Sequence, residues 1–348
     1  MKKTFVTNLR EGARVEDVFL VASKTVAATR NGAPFLRLRL GDKTGEVDAV
    51  KWDASESEIA RITEDEYVLI QGAVSIYRDN PQITLESIQK YSEAVDPSDF
   101  LRCTPQDPEK MFSELNDILR QIKNPHLSRL LSTIFAREDF ARVFCEAPAA
   151  KSVHHAYIGG LLEHTLNVVR TCVALADLYP QIDRDLLLTS ATLHDVGKME
   201  EYTWVGSVKI SDAGHLVGHI VSGTMLVKEV ADTVDGFDPM LSLALQHMIL
   251  AHHGFKEFGS PKLPKSIEAV MLHMADDLDA KVAMFGQAID ESQNNSLFTK
   301  KHFLLDRPIF KGLPKIEEEV EHIETLANDD PDLGLFAVDA DYDPFAEN

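Results

Sequence analysis

Leu193-His194-Asp195-Val196-Gly197-Lys198 is the most informative segment of this chain. It places a histidine beside an aspartate in an otherwise apolar helical pattern that begins near Arg184. Burying two ionisable side chains together costs free energy unless a metal ion or an ion pair compensates them. The pair therefore predicts that further metal ligands occur elsewhere in the sequence.

Residues of the ligand type occur on both sides of this pair. His164 lies upstream, and His219, the adjacent His252 and His253, and Asp276 lie downstream. A single histidine is more often a structural residue than a ligand, but the ordered series is more informative. The order His, His-Asp, His, His-His, Asp resembles that of the HD-domain metal-dependent phosphohydrolases, which implies a helical domain around a metal site.

The resemblance implies a site for two divalent metal ions. Its seven ligands would be His164, His194, Asp195, His219, His252, His253 and Asp276. Adjacent residues on a helix point about 100° apart, so His194 and Asp195 can share a metal only over their common edge. The two oxygens of Asp195 suit it to bridge both metals. Asp277 and Asp279 compete with Asp276 for the last position, and we favour Asp276, with Asp279 supporting a ligand.

The types of the predicted ligands indicate which metal ions could bind and which reaction they could support. Histidine and carboxylate ligands without thiolate favour Mn²⁺, Mg²⁺, Fe²⁺, Co²⁺ or Ni²⁺ over a structural zinc ion. Two metals roughly 3.5 to 4 Å apart can activate a water and stabilise both the attacking and the leaving oxygen of a phosphodiester. Asp195 and Lys198 are the predicted catalytic residues. Lys198 is placed like the phosphate-contacting lysine of HD proteins, and the alternative is a cation at a helix C-terminus.

Two further residues precede the first ligand. Lys151 and His155 lie in Ala147-Pro148-Ala149-Ala150-Lys151 and His154-His155-Ala156-Tyr157, just before the helix that would carry His164. From that position they can line the substrate cleft. Both are candidate contacts for the substrate phosphate.

The first hundred residues have the pattern of a β-barrel. Apolar and polar residues alternate in Phe35–Leu40 and Glu46–Trp52, as they do in a half-buried strand. Strands are also predicted at Val18–Val21, Tyr67–Ile76 and Gln82–Lys90, with a short helix over Ser55–Ile62. Five strands with one helix between the third and fourth is the order of an OB-fold.

This segment also resembles the OB-fold nucleic-acid binders, in which aromatic rings stack on bases beside arginines and lysines. The candidate nucleic-acid contacts are Arg30, Phe35, Arg37, Trp52 and Tyr77. Each aromatic residue can equally fill the barrel core or its edge. Arg37 can equally belong to a solvated face, and such a barrel can also bind a protein.

The length and composition of the chain limit its possible domain number, location and binding partners. A chain of 348 residues with 44% hydrophobic residues predicts two globular domains. No run approaches the roughly 18 to 20 apolar residues of a membrane helix, so we expect no membrane association and a cytoplasmic location. Three scattered cysteines exclude a disulfide framework and a thiolate zinc site. The net charge of -21 argues against strong nonspecific binding of duplex nucleic acid.

The composition along the chain predicts four segments. Residues 1–91 form the OB-fold domain, the proline-containing residues 92–108 form a linker, and residues 109–315 form the helical HD domain. Residues 316–348 form an acidic C-terminal tail. The predicted fold class is therefore a small all-β OB-fold barrel followed by an all-α HD domain.

This arrangement, with Ala-Pro-Ala-Ala-Lys and His-His-Ala-Tyr ahead of His164, resembles the YhaM-type 3′-to-5′ exoribonuclease family. The resemblance covers roughly residues 10 to 310. It implies metal-dependent removal of nucleotides from the 3′ end of single-stranded RNA, with single-stranded DNA as a further substrate. It also implies Mn²⁺ as the favoured metal and a homo-oligomer as the assembly.

Two other functions stay open at this point. The first is an HD-type phosphohydrolase of nucleotides or cyclic dinucleotides, although the Gly-Tyr-Pro motif expected of the cyclic-dinucleotide version is missing after His252-His253. The second is a nucleic-acid-binding regulatory protein whose HD site is vestigial. That reading requires a lost ligand, and all seven expected ligands are present.

Overall fold

The computed structural model describes residues 2–28, 34–78, 80–137, 139–151, 155–204, 206–292, 294 and 296–313. The chain divides into two compact units at Gln287. The first unit holds both the barrel and the helices that carry the predicted ligands.

The N-terminal part of the first unit is a closed five-stranded barrel with the strand order β1-β2-β3-β5-β4. Its elements are β1 (Arg14–Ala28), β2 (Pro34–Asp42), β3 (Gly45–Lys51), α1 (Glu56–Arg61), β4 (Tyr67–Tyr77) and β5 (Asn80–Lys90). Neighbouring strands are antiparallel except β3 and β5, whose parallel pairing completes the barrel. The predicted OB-fold order is confirmed.

The alternation in β2 explains why this segment forms a barrel wall. Leu36, Leu38 and Leu40 are buried in the barrel core, whereas Arg37 and Arg39 are exposed on the other face. A strand with this two-residue period can bury only one face. The predicted alternation is therefore confirmed.

The rest of the first unit is mainly helical, as predicted. Its elements are α2 (Pro108–Leu119), α3 (Pro125–Phe135), α4 (Phe140–Glu146), α5 (Gly160–Leu178), α6 (Arg184–Leu193), α7 (Lys198–Glu201), β6 (Tyr202–Thr203), β7 (Lys209–Ile210), α8 (Asp212–Leu216), α9 (His219–Thr233), α10 (Pro239–Ala251) and α11 (Ile267–Asp290), which extends past the unit boundary. The strands β6 and β7 form one short antiparallel hairpin.

Several helices begin at a signal that is visible in the sequence. Asp107, Asn124 and Asp238 each cap a helix, and each is followed by a proline at the first helical position. A side-chain oxygen at the N-cap accepts a backbone N–H that would otherwise lack a partner, and proline has no N–H to satisfy there. These signals fix where α2, α3 and α10 begin.

One apolar core joins these helices. The first turns of α5 are buried on all sides, from Gly160 to Leu166, and α6 is buried from Leu186 to Leu193. A helix that is buried all round carries its polar residues into the interior with it. The predicted ligands on these two helices therefore lie inside the domain.

The residues between the barrel and α2 pack against the helical part. The N–H of Ile158 donates to the carbonyl of Arg102 at 2.9 Å, and the N–H of Thr104 donates to the carbonyl of Ile158 at 2.8 Å. Asp65, in the loop before β4, accepts a hydrogen bond from Ser207 and pairs with Lys209 of the β6–β7 hairpin. The first contacts tie the connection to the helical part, and the contacts of Asp65 tie the barrel to it.

The second unit, as far as it is described, contains the end of α11 and an irregular hairpin. Antiparallel bridges join Phe298 to Phe310 and His302 to Arg307. The acidic tail predicted for residues 316–348 lies outside the described residues. Among the helices of the described chain, none has the length and apolar character needed to cross a bilayer.

Candidate metal centre

Six of the seven predicted ligands lie at or near the ends of helices, whereas Asp276 lies within α11. His194 and Asp195 follow Leu193, the last residue of α6, and His194 keeps a helical backbone conformation as the C-cap of that helix. His219 is the first residue of α9, and His252 and His253 follow the last residue of α10. The side chains of both His194 and Asp195 face one site, with Asp195 Oδ2 3.3 Å from His194 Nε2.

The first group of ligands consists of His164, His194, Asp195 and Asp276. One ligand atom from each lies within 4.8 Å of all the others. Asp195 Oδ2 lies 3.3 Å from the Nε2 atoms of both His164 and His194. Asp276 Oδ1 lies 3.2 Å from His164 Nε2. Two nitrogens and two oxygens of this kind suit a divalent transition metal.

The second group consists of His219, His252 and His253, whose ligand atoms also lie within 4.8 Å of one another. Asp195 Oδ1 lies 3.6 Å from the Nε2 atoms of both His219 and His252. The carboxylate of Asp195 thus presents one oxygen to each group. This is the geometry expected of a carboxylate that bridges two metal ions.

All five ligand histidines place Nδ1 next to an oxygen atom. The partners of Nδ1 are the carbonyl of Ala191 for His194, of Ile249 for His252 and of Phe258 for His253, and the carboxylates of Asp279 for His164 and Glu201 for His219. A proton on Nδ1 satisfies each of these oxygens and leaves Nε2 with a lone pair. The histidines therefore offer the same atom, in the ligating form, to the centre.

The residues fit a pair of cations. Both carboxylate oxygens of Asp195 and Nε2 of His219 are buried, and apart from the Lys198 ammonium beside Asp195 Oδ2 no well-aligned donor reaches them among the described residues. The Nε2 atoms of His164 and His194 face each other at 3.2 Å. Buried acceptors that face one another need a positive charge between them. A divalent metal in each group would supply it.

The pKa shifts show that the carboxylates draw positive charge into this centre, and at His164 a proton competes with a metal ion. Burial lowers the pKa of His252, and it lowers the pKa of His253 to about 4, so both are neutral at neutral pH. Burial alone would lower the pKa of His164, but hydrogen bonds to Asp195, Asp276 and Asp279 raise it. Despite its burial, Asp195 has a pKa well below the usual value because Lys198 and His194 stabilise its charge. The carboxylates thus stay ionised and attract a cation.

Lys198 also belongs to this centre. Its side chain is buried, and Nζ lies 2.6 Å from Asp195 Oδ2. It stands at the start of α7 and not at the end of a helix with several turns, so its position does not match the alternative of a helix C-terminal cation. Its partner is the bridging carboxylate itself.

The structure places the two predicted phosphate contacts differently. His155 is buried, its Nδ1 lies 2.8 Å from the hydroxyl of Tyr157, and its Nε2 lies 3.0 Å from Asp279 Oδ2. This geometry favours a positioning role, in which His155 holds Asp279 against His164, over the predicted phosphate contact. Lys151 is exposed and lines a cavity of about 330 Å³ between the barrel and the helical part.

Close backbone approaches hold the second group against the first. A Cβ on Gly197 would lie 2.1 Å from the carbonyl oxygen of His219, so only glycine allows α9 to come this close to the His194-Asp195 turn. Gly254 has a φ of +74°, and a Cβ there would lie 2.3 Å from the ring of His273. Glycine at these two positions is a geometric requirement of the centre.

Sequence reasoning missed two acidic residues that support the centre. Glu201 accepts hydrogen bonds from both the backbone N–H and Nδ1 of His219. Glu163 is buried and accepts from Thr104, from Gln106 at 2.9 Å and from Tyr157 at 3.0 Å. Glu163 stands next to a predicted ligand in the sequence, which was an available signal. Glu201 is 18 residues from His219, so nothing local indicated it.

The predicted nucleic-acid contacts on the barrel are partly exposed. Trp52 and Tyr77 are 49% and 55% exposed, so neither fills the barrel core. The rings of Phe35 and Trp52 lie 4.9 Å apart at a tilt of 36°. Arg37 is paired with Asp48 at 3.1 Å, which reduces its availability to a phosphate. Arg30 lies outside the described residues.

Two protein families match the two halves of the chain. The HD domain family matches residues 161–281, which include all seven predicted ligands. The family described as an OB-fold nucleic acid binding domain matches residues 20–91, which include β2 to β5. The order of the two matches is the order predicted from the sequence.

Relatives align along most of the chain. It is 35% identical over 304 residues to the 3′-5′ exoribonuclease YhaM of Halalkalibacterium halodurans, covering 86% of this chain and 93% of the relative. It is 36% identical over 308 residues to that of Shouchella clausii, covering 86% and 94%. For the Bacillus subtilis protein the identity is 35% over 303 residues, covering 86% and 95%. The alignments therefore span both domains.

Proposed function

The chain belongs to the YhaM family of 3′-5′ exoribonucleases, and from this membership we propose that it removes nucleotides from the 3′ end of single-stranded RNA. Single-stranded DNA is proposed as a second substrate. The observation that carries the proposal is Asp195, whose two oxygens each lie close to a different group of histidines. The activity is a metal-dependent phosphodiester hydrolysis.

We propose two divalent metals, with Mn²⁺ as the favoured ion. His164, His194, Asp195 and Asp276 would hold one of them, and His219, His252 and His253 would hold the other together with Asp195. When bound, such metals activate water and stabilise the charge on the attacking and leaving oxygens of a phosphodiester. The all-nitrogen-and-oxygen ligand set supports Mn²⁺ and does not exclude Mg²⁺, Fe²⁺, Co²⁺ or Ni²⁺.

The chain's own residues order this centre. Asp195 holds both groups in a fixed relation, and Lys198 balances its negative charge from within the interior. Asp279 and Glu201 keep His164 and His219 in the tautomer that presents Nε2. Because Lys198 lies beside the bridge, its ammonium is also suited to stabilise charge on a bound phosphate.

The barrel would hold the strand whose end enters the helical domain. Trp52 and Tyr77 are exposed aromatic residues on the barrel, and unpaired bases stack on such rings without regard to sequence. The domain assignment that goes with this role is a barrel at 1–91, a connection at 92–108, an HD domain at 109–315 and a tail at 316–348. The cytoplasmic location predicted from the sequence stays a prediction.

We also propose that the protein is a homo-oligomer that pairs through α11. Five exposed apolar side chains recur on one side of this helix at helical spacing: Ile267, Val270, Met274, Leu278 and Val282. An antiparallel copy of the helix centred between Met274 and Ala275 would place Glu268 opposite Lys281. This self-complementary charge supports a second copy of the chain as the occupant of the stripe.

The test of the function is product analysis on defined RNA. Purified protein with Mn²⁺ should shorten a 5′-labelled single-stranded RNA stepwise from its 3′ end and release mononucleotides. Blocking the 3′ end with a stem should stop the reaction at the duplex. Hydrolysis of free nucleotides or cyclic dinucleotides with RNA untouched would instead support the phosphohydrolase alternative.

A further inference from the structure

Two exposed phenylalanines stand directly beside the second metal group. Phe255 and Phe258 follow the ligand His253 in the loop between α10 and α11, and they are 50% and 64% exposed. Their ring centroids lie 5.8 Å apart, edge to face. Lys256 lies between them, is exposed, and has no ion pair within the described part of the chain.

The loop that carries these rings is fixed to the metal centre by its backbone. The carbonyl of Phe258 accepts a hydrogen bond from Nδ1 of His253 at 2.9 Å, and the N–H of Phe255 donates to the carbonyl of His253 at 2.8 Å. Ser260 closes the loop because its hydroxyl donates to the carbonyls of Leu250 and Lys262. The position of the Phe258 ring is therefore tied to that of a ligand.

The ring of Phe255 is only half covered by the rest of the protein. It packs edge-on against the ring of His273, with the centroids 5.6 Å apart, and half of its surface remains in water. Leaving large apolar rings exposed forgoes roughly 25 cal/mol for each Å² that a partner would cover. Folding alone does not account for two such rings in one short, well-anchored loop.

The chemistry of the neighbouring metal centre indicates which ligand would cover the two exposed rings. A phosphodiester held near His253 carries a base one ribose away, and a base is the part of a nucleotide that has a flat apolar face. Aromatic side chains stack on bases of any sequence, and a nearby cation adds attraction for phosphate. Phe258 and Lys256 supply these two groups within three residues of each other.

We propose that Phe258, supported by Phe255, is a stacking subsite for the unpaired base of the 3′-terminal nucleotide. This proposal rests on the exoribonuclease function proposed above and adds the group that places the chain end at the metal centre. An apolar protein partner is the competing occupant. It is disfavoured because Lys256 and Glu257 interrupt the apolar surface between the two rings.

The decisive experiment removes the ring and the base separately. Phe258→Ala should lower kcat/KM about 5- to 150-fold on RNA with an ordinary 3′ end, which is the effect of losing one stacked base. On RNA whose 3′-terminal nucleotide is abasic, the wild type should already be slow, and Phe258→Ala should change little further. Phe258→Trp should keep the wild-type preference for the base.

The proposal can also be tested by measuring RNA binding, which does not require catalytic activity. A 3′-terminal 2-aminopurine should lose fluorescence when it binds the full-length wild type, because stacking quenches this base. Phe258→Ala should abolish the quenching, and Phe258→Trp should retain it. The bound Mn²⁺ should stay unchanged in both variants, since the hydrogen bond to His253 comes from the backbone carbonyl.

Tyr179→Ala is the matched control, because Tyr179 is an exposed aromatic residue 15 residues beyond His164, or about 22 Å along the direction of α5. It should behave as wild type in both assays. Equal losses for Phe258→Ala on base-bearing and abasic ends, together with unchanged quenching, would overturn the subsite while leaving the exoribonuclease function intact. A wild type that quenches 2-aminopurine but cleaves no RNA would instead refute the function and retain the subsite.

Discussion

Asp195 is the residue on which the centre depends. Its side chain is 2% exposed, and its two oxygens face different histidine groups. A carboxylate this deeply buried is stable only next to positive charge. Lys198 supplies one such charge, and bound metals would supply the rest.

The first prediction concerns this bridge. Asp195→Asn should lower turnover on the order of 100-fold or more, because it removes the ligand shared by both groups. Metal analysis after dialysis should find less bound Mn²⁺ than in the wild type. The variant also leaves Lys198 without its partner, so its melting temperature should fall.

Asp277→Asn is the matched control for the bridge. Asp277 is adjacent to the ligand Asp276, but it forms a partly exposed ion pair with Lys281. Exposed pairs of this kind contribute about 0 to 1 kcal/mol, so activity and metal content should match the wild type. Full activity and full metal content in Asp195→Asn would contradict the bridging role.

The second prediction concerns the orientation of a ligand. Glu201 holds Nδ1 of His219, and this hydrogen bond lowers the pKa of Glu201 although burial alone would raise it. Glu201→Gln should raise the Mn²⁺ concentration needed for half-maximal activity about 10- to 100-fold, because partners of ligand histidines tune metal affinity by that amount. Titration of activity with Mn²⁺ measures the shift.

The neighbouring Glu200 provides the control for this prediction. Its side chain is exposed, and it precedes Glu201 on the same short helix. Glu200→Gln should leave the Mn²⁺ requirement unchanged. An identical requirement in both variants would show that the carboxylate of Glu201 does not tune His219.

At the scale of elements, the centre is assembled where helices end. The ends of α6 and α10 and the start of α9 converge, and the turn after α6 packs against α9 at Gly197. The apolar periodicity of these helices was visible in the sequence. Which ends meet was not visible, because it depends on how buried faces pack together.

The third prediction tests this convergence. Gly197→Ala should destabilise the fold by about 1 to 3 kcal/mol, the usual cost of overpacking, because the new methyl group meets the backbone of α9. It should also weaken metal binding by the group that contains His219. Thermal unfolding and Mn²⁺ content measure the two effects.

Gly286→Ala is the corresponding control. A Cβ at Gly286 would have no heavy atom within 4 Å, and the residue lies within α11. Alanine there should raise stability by about 0.4 to 1 kcal/mol by restricting the unfolded chain. Equal destabilisation by both substitutions would argue that α9 does not need the close approach at Gly197.

In the molecule as a whole, a barrel with exposed aromatic residues is joined to a helical domain with a buried candidate metal centre. The two are connected through residues 92–107 and through Asp65, which binds the β6–β7 hairpin. This hairpin follows Glu201 directly, so the barrel contacts an element next to a residue that orients a ligand. This arrangement suits a protein in which the barrel binds the RNA strand and the helical domain hydrolyses its end.

The fourth prediction separates these two tasks. Trp52→Ala should weaken binding of long single-stranded RNA about 5- to 150-fold, because one stacked base is lost. Hydrolysis of a dinucleotide, which has no further strand for the barrel to hold, should stay close to wild type. Equal effects on both substrates would count against a strand-holding barrel, and Tyr179→Ala again serves as the control.

The fifth prediction concerns assembly through α11. Ile267→Glu combined with Val282→Glu should reduce the mass measured by light scattering, because it buries charge at both ends of the apolar stripe. Both positions lie away from the ligand Asp276, so metal content should be retained. Leu178→Glu, at the exposed end of α5, should leave the mass unchanged. An unchanged mass in the double variant would refute this interface.

The sequence by itself determined which residues can form the centre and which elements carry them. The ordered series from His164 to Asp276 indicated the HD domain, and the two-residue alternation in β2 indicated the barrel, since both signals are local in the chain. The folded chain alone shows that Asp195 faces both groups, that Glu201 holds His219 and that both ring nitrogens of His155 have partners. Those facts depend on contacts between residues far apart in sequence, and close packing in the interior sets such contacts.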